Sequence, residues 1–125
     1  MHKIIETTHA PQPIGPYSQA VMAGNTLYVS GQIAIVPASG ALITESIDKE
    51  TIQVMENLQA VLFAAGMGFT NVVKTTIFLS NMDDFAVVNE IYGTYFTANY
   101  PARETVAVKT LPKNVNVEIS AIAVK

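Results

Sequence analysis

The chain has 125 residues, of which 50% are hydrophobic and 14% are charged, and its formal net charge is −3 with a pI near 5.2. Its length suits a single domain over residues 1–125, and the acidic balance with scattered lysines argues against nucleic acid or an anionic membrane as the main partner. The absence of cysteine excludes disulfides and thiolate catalysis, and no stretch has the pattern of a signal peptide or a membrane span, so a soluble cytoplasmic protein is expected.

The first part of the chain contains apolar residues in alternation, which predicts β-strands. Strands are expected over residues 3–7, 18–23 and 26–32. A proline-rich loop should occupy residues 10–16, and Gly24 with Asn25 is a two-residue hairpin signal between the second and third strands. Ser30, followed by Gly31, lies near the end of the third strand, where a polar side chain can meet a ligand.

The spacing of apolar residues then changes to three and four, which indicates helices. The first helix is expected to begin at Ser46 or Asp48 and to stop at Gly66, with Glu50 in its first turn. Its apolar stripe is Ile52, Met55, Leu58, Leu62 and Ala65. Asn81, followed by Asp84 three residues on, should cap a second helix. The stripe of that helix is Phe85, Val88, Ile91 or Tyr92, Tyr95 and Phe96.

Three further strands are predicted in the second half of the chain. They cover residues 70–79, 103–110 and 115–124. The strand over residues 70–79 is apolar on both faces, as is typical of a central strand. In the final strand, alternation places Asn116, Glu118, Ser120 and Ile122 on one face and Val115, Val117, Ile119, Ala121 and Ala123 on the other.

Two helices and about six strands predict an α+β fold with a mixed sheet and both helices on one face. The other face is expected to carry Ser30, Arg103 and Glu118 among apolar residues. Only 14% of the residues are charged, against a typical value of about 25%, so one chain has too few charged groups to cover its apolar surface. We therefore expect an oligomer whose sites lie between subunits.

Arg103 is the only arginine in the chain and lies at the start of a predicted strand. A guanidinium presents a planar fork of donors that matches a carboxylate or a phosphate, whereas lysine would serve equally well on a solvated surface. Arg103 is therefore a candidate anion-binding residue. The alternative is a structural ion pair, for which Glu118 is the candidate partner. Glu104 should point to the opposite face of the sheet and leave Arg103 free.

Several short motifs occur in order along the chain. They are IGPYSQ at residues 14–19, SGQ at 30–32, DFAVVN at 84–89, PAR at 101–103, LPK at 111–113, VEI at 117–119 and AIA at 121–123. Together they resemble the RidA (YjgF) family of enamine/imine deaminases. The match runs from the first strand to the last residues, and the agreement of several ordered motifs makes it specific.

The resemblance implies a chorismate-mutase-like fold and a homotrimer with a central barrel and three clefts between subunits. It also implies hydrolysis of reactive 2-imino acids, such as 2-iminobutanoate and 2-iminopropanoate, to 2-keto acids and ammonia, with no cofactor. In that family, the residue corresponding to Arg103 binds the substrate carboxylate, and the one corresponding to Glu118 positions or activates water. The residues implied to line the cleft are Tyr17, Ser30, Gly31, Asn89 and Thr105.

Elementary chemistry agrees with these roles. A 2-imino acid carries a carboxylate beside an electrophilic C=N bond, so one fixed cation can orient it and one acid/base group can serve the water and the leaving ammonia. Thr105 stands where many family members carry cysteine, and Ser120 stands where glutamate is frequent. These departures bear on substrate preference and leave Arg103 and Glu118 in place.

The candidate residues also have ordinary structural interpretations. Tyr17 could be a core aromatic, although its loop position favours an exposed hydroxyl. Ser30 has neither a nucleophile elbow nor a partner histidine, so it is expected to hydrogen-bond and not to attack. Asn89 is unfavourable in the middle of a helix, which predicts a tertiary hydrogen bond. His2 and His9 lack ligand-like spacing, so no metal is expected.

Two other classes of function stay open at this point. A regulatory module would bind 2-keto acids in the same cleft without turning substrate over. A ribonuclease or translation inhibitor, attributed to some relatives of the family, fits the acidic charge and scattered lysines less well.

Overall fold

Three strands near the N-terminus form an antiparallel meander that includes the predicted hairpin. The computed structural model describes residues 2–125, and its first strands are β1 (His2–Ile5), β2 (Ala20–Ala23) and β3 (Thr26–Gln32). Gly24 makes the turn between β2 and β3 with a φ of +60°, a left-handed conformation that glycine adopts without strain. The hairpin prediction is confirmed.

The first helix, α1 (Ile47–Ala64), follows Ser46 at its N-cap and ends just before Gly66, whose φ is +73°. Met55, Leu58 and Leu62 are fully buried, as the predicted stripe requires. Ile52 is 44% exposed, so its place in the stripe was wrong. The buried face also contains Val54 and is turned away from Ile52, because the period of 3.6 residues carries position 52 beyond the edge of that face.

The remaining elements are β4 (Val72–Leu79), α2 (Phe85–Gly93), β5 (Ala102–Ala107) and β6 (Val117–Val124). The strand order is β1-β2-β3-β6-β4-β5, and among these pairs only β4 and β5 run parallel. The prediction of an α+β fold with a six-stranded mixed sheet and two helices is confirmed.

Short 3₁₀ turns account for most differences from the predicted boundaries. Residues 70–71 belong to such a turn before β4, and Asn81 caps another turn by accepting a hydrogen bond from the Asp83 N–H at 2.9 Å. The helix α2 ends at Gly93, so Phe96 lies beyond it. The Phe96 ring nevertheless packs in the core, 4.9 Å from the ring of Tyr92.

The two faces of the sheet are set by the central strand β6. Its residues Val117 and Ile119 are buried against the helices, whereas Glu118 is half-buried on the opposite face, as predicted. In register with β6, Ile77 of β4 pairs with Ile119 and Phe78 pairs with Glu118.

The strand β5 carries Arg103 on the helical face, which corrects the prediction that Arg103 shares a face with Glu118. Arg103 pairs with Thr75, which is fully buried and hydrogen-bonded at 2.7 Å to the Tyr92 hydroxyl of α2. Paired residues on neighbouring strands point to the same side of a sheet. The register between β4 and β5 therefore turns Arg103 toward α2 and Glu104 to the outer face.

No helix within residues 2–125 is long and apolar enough to cross a bilayer.

Candidate functional site

The guanidinium of Arg103 is fixed on α2 without being neutralised. Its Nη1 donates a 2.7 Å hydrogen bond to Asn89 Oδ1, and its central carbon lies 5.1 Å from the ring centre of Tyr92 and 5.6 Å from that of Phe85. The aromatic faces and the amide oxygen orient the cation, and neither carries a formal negative charge. The tertiary hydrogen bond predicted for Asn89 is confirmed.

No carboxylate within residues 2–125 pairs with Arg103. The ion pairs there are Lys49 with Glu45 at 3.5 Å and Lys74 with Glu104 at 3.1 Å. Glu104 therefore turns away from Arg103, as expected. The alternative in which Glu118 neutralises Arg103 is wrong, because the two residues lie on opposite faces of the sheet.

A cavity of about 420 Å³ opens beside this guanidinium. Its lining residues are Asn89, Tyr92, Gly93, Tyr100, Pro101 and Arg103. An uncompensated cation that keeps donors free in a concave surface is suited to binding a small anion, since planar carboxylates match its fork of N–H groups.

Glu118 lies across the backbone of Gly31 on the other face of the sheet. A Cβ atom placed on Gly31 would fall 2.2 Å from Glu118 Oε2 and 2.9 Å from Glu118 Cγ, so a residue with a side chain cannot occupy position 31 while Glu118 keeps this position. The register between β3 and β6 shifts at this point, between Val29 and Gln32. The glycine thus provides the space into which the carboxylate folds back.

Burial raises the pKa of Glu118 above its ordinary value of 4.5, because the carboxylate loses part of its hydration. The structure records no hydrogen bond from residues 2–125 to this carboxylate that would offset the loss. A carboxylate with a raised pKa is a stronger base than an ordinary one, which suits acid/base work.

Glu118 lines a second cavity, also about 420 Å³ in volume. Tyr17, Ser30 and Gly31 line the same cavity. Tyr17 is 52% exposed, so the interpretation as a core aromatic is wrong. Ser30 donates its hydroxyl proton to the Ser18 carbonyl at 2.6 Å, which leaves the Ser30 oxygen free to accept.

The structure divides the predicted site residues between two places. Arg103 and Asn89 line the first cavity, and Glu118 lines the second with the residues from β3 and the preceding loop. Thr105 lines neither cavity. It pairs with Ile77 on the helical face, and its hydroxyl is buried without a hydrogen-bond partner within residues 2–125.

The sequence did not single out two buried polar side chains that fix the backbone around the second cavity. Gln19 is 2% exposed and donates to the Pro11 carbonyl at 2.8 Å, which ties down the proline-rich loop. Glu50 is fully buried and accepts hydrogen bonds from the Asn116 N–H at 2.7 Å and the Val117 N–H at 3.1 Å. A charged residue on the apolar face of α1 was the signal for Glu50, because such a group needs buried donors.

Comparisons with known proteins identify the class of molecule that this fold and site define. The family model described as Endoribonuclease L-PSP matches residues 7–125. The chain therefore belongs to this family, which is the RidA (YjgF) family. The family membership predicted from the motifs is confirmed.

Individual relatives are similar over nearly their whole length. The mouse protein named 2-iminobutanoate/2-iminopropanoate deaminase is 50% identical over 125 residues, which cover all of this chain and 93% of the mouse protein. The structure of YyfA from Yersinia pestis, of the conserved Rid protein family, superposes with a TM-score of 0.97 at 48% identity and full coverage of both chains. The structure of Escherichia coli TdcF with bound serine gives a TM-score of 0.94 at 41% identity, covering 98% of each chain.

Proposed function

We propose that this protein is a hydrolytic deaminase of reactive 2-imino acids and their enamine tautomers, with 2-iminobutanoate and 2-iminopropanoate as substrates. The observation that carries this proposal is the Arg103 guanidinium, which lines a cavity, is oriented by Asn89 and aromatic rings, and has no carboxylate partner within residues 2–125. Relatives about half identical to this chain, named for this activity, support the same conclusion.

We infer that one catalytic site combines two copies of the chain. Arg103 and Glu118 lie on opposite faces of the sheet, so the cavity of Arg103 from one copy must meet the cavity of Glu118 from another. The outer face of the sheet offers a surface for such an assembly. Its exposed apolar side chains include Ile4, Tyr28, Val106 and Val124. A homotrimer with three clefts around a central barrel buries this face and repeats the site three times.

The proposed reaction begins with the substrate carboxylate on the Arg103 fork, which places the C=N bond toward Glu118. The Glu118 carboxylate takes a proton from water as the water oxygen bonds to the imine carbon. The tetrahedral carbinolamine then forms, and Glu118 returns the proton to nitrogen. Glu118 then takes the hydroxyl proton and passes it to the amine nitrogen as the C–N bond breaks and the C=O bond forms. Ammonia leaves and the 2-keto acid remains, so one water is consumed for each ammonia released.

The remaining residues would shape and polarise the cleft. The Ser30 hydroxyl donates a hydrogen bond to the Ser18 carbonyl, so its oxygen can accept a hydrogen bond from the water or the leaving nitrogen. Tyr17 and Gly31 would border the same space, and Asn89 would hold Arg103 in orientation. Thr105 is proposed to reach the cleft through its backbone or its unpartnered hydroxyl once the second copy is in place.

A regulatory module that binds 2-keto acids without turnover would need Arg103 but not Glu118 as an acid/base group. The activity named for relatives about half identical to this chain favours the enzyme, and the half-buried Glu118 carboxylate offers the acid/base group that turnover needs. Endonuclease activity is disfavoured by the net charge of −3, since a phosphodiester chain is bound mainly through clustered cations.

A coupled assay tests the proposed reaction. Threonine dehydratase releases 2-iminobutanoate, and 2-ketobutyrate formation is followed by its absorbance with and without this protein. We expect the protein to accelerate keto-acid formation in proportion to its concentration. Unchanged formation of 2-ketobutyrate, together with measurable binding of 2-ketobutyrate by calorimetry, would contradict the enzyme and support the regulatory module.

Mixing two inactive variants should restore activity if the site lies between copies. Arg103→Ala and Glu118→Gln chains, unfolded together and refolded as mixed trimers, would form clefts that contain both native residues. Random mixing places native Arg103 opposite native Glu118 in about one quarter of the clefts, so roughly a quarter of the native activity is expected. Each variant refolded alone is the control. Activity no greater than in those controls, in trimers shown to be mixed by mass spectrometry, would place the site elsewhere.

The Gly31→Ala variant should displace Glu118 and lower turnover. The new methyl group would overlap the Glu118 side chain, and a shift of about 1 Å in a catalytic group can cost on the order of 100-fold in rate. The matched control is Gly68→Ala, because a Cβ at Gly68 meets nothing within 4 Å. The deaminase assay compares the two. Equal activity of both variants would show that the position of Glu118 over Gly31 does not matter.

A further inference from the structure

The Glu118 cavity contains a lysine that the proposed reaction does not use when the side chain of the 2-imino acid is uncharged. Lys113 lines this cavity and is the only cation among its lining residues in the described part of the chain. Within residues 2–125 its ammonium forms no ion pair with a carboxylate.

The backbone at Lys113 has a conformation that lysine does not favour. Lys113 has a φ of +57° and Asn114 a φ of +56°, so two consecutive residues lie in the left-handed region. Glycine adopts this region freely and asparagine tolerates it, but a lysine adds strain. Asparagine at both positions would make the same turn at lower cost. The presence of lysine therefore points to a use for its side chain.

The loop that carries Lys113 is anchored on both sides. Leu111 and Val115 are 8% and 1% exposed, and the Asn114 N–H donates to the Leu111 carbonyl at 2.9 Å. Glu50 fixes the next residues by accepting from the Asn116 N–H. The backbone of Lys113, which lines the cavity, is thus held in place, so a ligand there would not have to order this loop on binding.

The cavity itself offers more room and more polarity than a short alkyl side chain requires. Its volume of about 420 Å³ is within the range of sites for ligands much larger than 2-iminobutanoate. Its lining includes three isoleucines and the exposed Lys113. A ligand that fills this space can extend from Glu118 to the ammonium of Lys113.

We propose that Lys113 forms a second anion-binding position and extends the substrate range to 2-imino acids with an acidic side chain, such as 2-iminosuccinate. This inference rests on the proposed deaminase function. The α-carboxylate occupies Arg103 of one copy, the C=N carbon lies at Glu118 of the other, and the side-chain carboxylate meets Lys113 of that second copy. The reaction is unchanged, with one water consumed and one ammonia released.

The test compares two substrates and one substitution. D-Amino-acid oxidase acting on D-alanine supplies 2-iminopropanoate, and D-aspartate oxidase acting on D-aspartate supplies 2-iminosuccinate. The Lys113→Asn variant removes the charge and relieves the backbone strain, so a loss of activity cannot be ascribed to unfolding. We expect kcat/KM for 2-iminosuccinate to fall about five-fold, the size of an exposed ion pair, while that for 2-iminopropanoate changes by less than roughly two-fold.

Two further variants complete the design. Lys113→Arg should keep the activity toward 2-iminosuccinate. Lys109→Asn removes an exposed lysine that does not line the cavity, so kcat/KM for both substrates should stay unchanged. An equal change for both substrates in Lys113→Asn, or no change, would overturn the inference while leaving the deaminase intact.

A binding measurement separates this inference from the deaminase proposal. If the native protein hydrolyses no imino acid, the deaminase proposal fails, and calorimetry still tests the second anion position. Native protein should then bind 2-ketoglutarate more tightly than 2-ketobutyrate, and Lys113→Asn should abolish the difference. Equal affinities of the native protein for 2-ketoglutarate and 2-ketobutyrate would contradict the proposed second anion-binding position.

Discussion

Replacing Arg103 with alanine is expected to lower kcat/KM for 2-iminobutanoate by roughly 30- to 5000-fold, equivalent to about 2–5 kcal/mol of transition-state stabilisation. The guanidinium is the group proposed to orient the substrate carboxylate, and no other cation from residues 2–125 lines its cavity. The loss should appear in KM, because the carboxylate is bound in the ground state as well as in the transition state, and also in kcat, because the C=N bond is no longer oriented toward Glu118. The coupled dehydratase assay measures both.

Arg103→Lys should recover only part of this loss. A single ammonium keeps the charge but cannot hydrogen-bond Asn89 and both oxygens of a carboxylate in the geometry of the fork. The control is Lys49→Ala, which removes a cation from an exposed pair with Glu45. Near-normal activity of Arg103→Ala, with the assembly shown to be intact by sedimentation, would refute the role of Arg103.

Local signals predicted the elements well because they act within a few residues. The glycine at position 24 supplies a left-handed turn, and the alternation from 117 to 123 separates the buried and outward residues of β6. The shift of the core face away from Ile52 was not visible, since a short stripe fits more than one orientation of a helix. Boundaries at residues 69–71 and 82–84 moved because 3₁₀ turns have no strong apolar period.

The face on which Arg103 lies could not be read from the sequence. Alternation fixes which residues of a strand share a face, but the choice of face depends on the register with the neighbouring strand. In β5 both faces are partly exposed, so burial gives no signal either. The sequence singled out Arg103 and Glu118 as candidate site residues, and within residues 2–125 the structure leaves Arg103 without a carboxylate partner. Their placement on opposite faces follows only from the pairing of β5 with β4 and of β4 with β6.

The residues that support the site were missed for a related reason. Glu50 satisfies backbone N–H groups 66 and 67 residues away in the chain, and no local pattern connects α1 with the start of β6. Lys113 was part of a recognised motif, but its left-handed backbone and its position in the Glu118 cavity depend on a loop fixed by tertiary contacts. Such residues are identified by asking which partner a buried or strained group requires.

Glu118→Gln should abolish most of the activity while preserving the binding of 2-ketobutyrate. A glutamine cannot take a proton from water, and the loss of a general acid/base group costs about 10²- to 10⁴-fold in rate. In the native protein kcat/KM should fall as the pH is lowered through the pKa of Glu118, which lies above the ordinary value of 4.5. That acidic limb should be absent from the residual activity of the variant.

Stability should change in the opposite direction to activity. Because burial raises the pKa of Glu118 in the folded protein, the folded state holds this proton more tightly than the unfolded state. The charged carboxylate therefore lowers stability above the folded pKa, and this cost vanishes below the unfolded pKa. Glu118→Gln should then raise Tm at neutral pH, and the difference in Tm between variant and native protein should be smaller near pH 4. The control is Glu6→Gln, at an exposed position, which should alter neither activity nor its pH profile. An unchanged rate in Glu118→Gln would reduce Glu118 to a structural residue, and a fall in both rate and Tm would mean that its carboxylate stabilises the fold instead of serving the reaction.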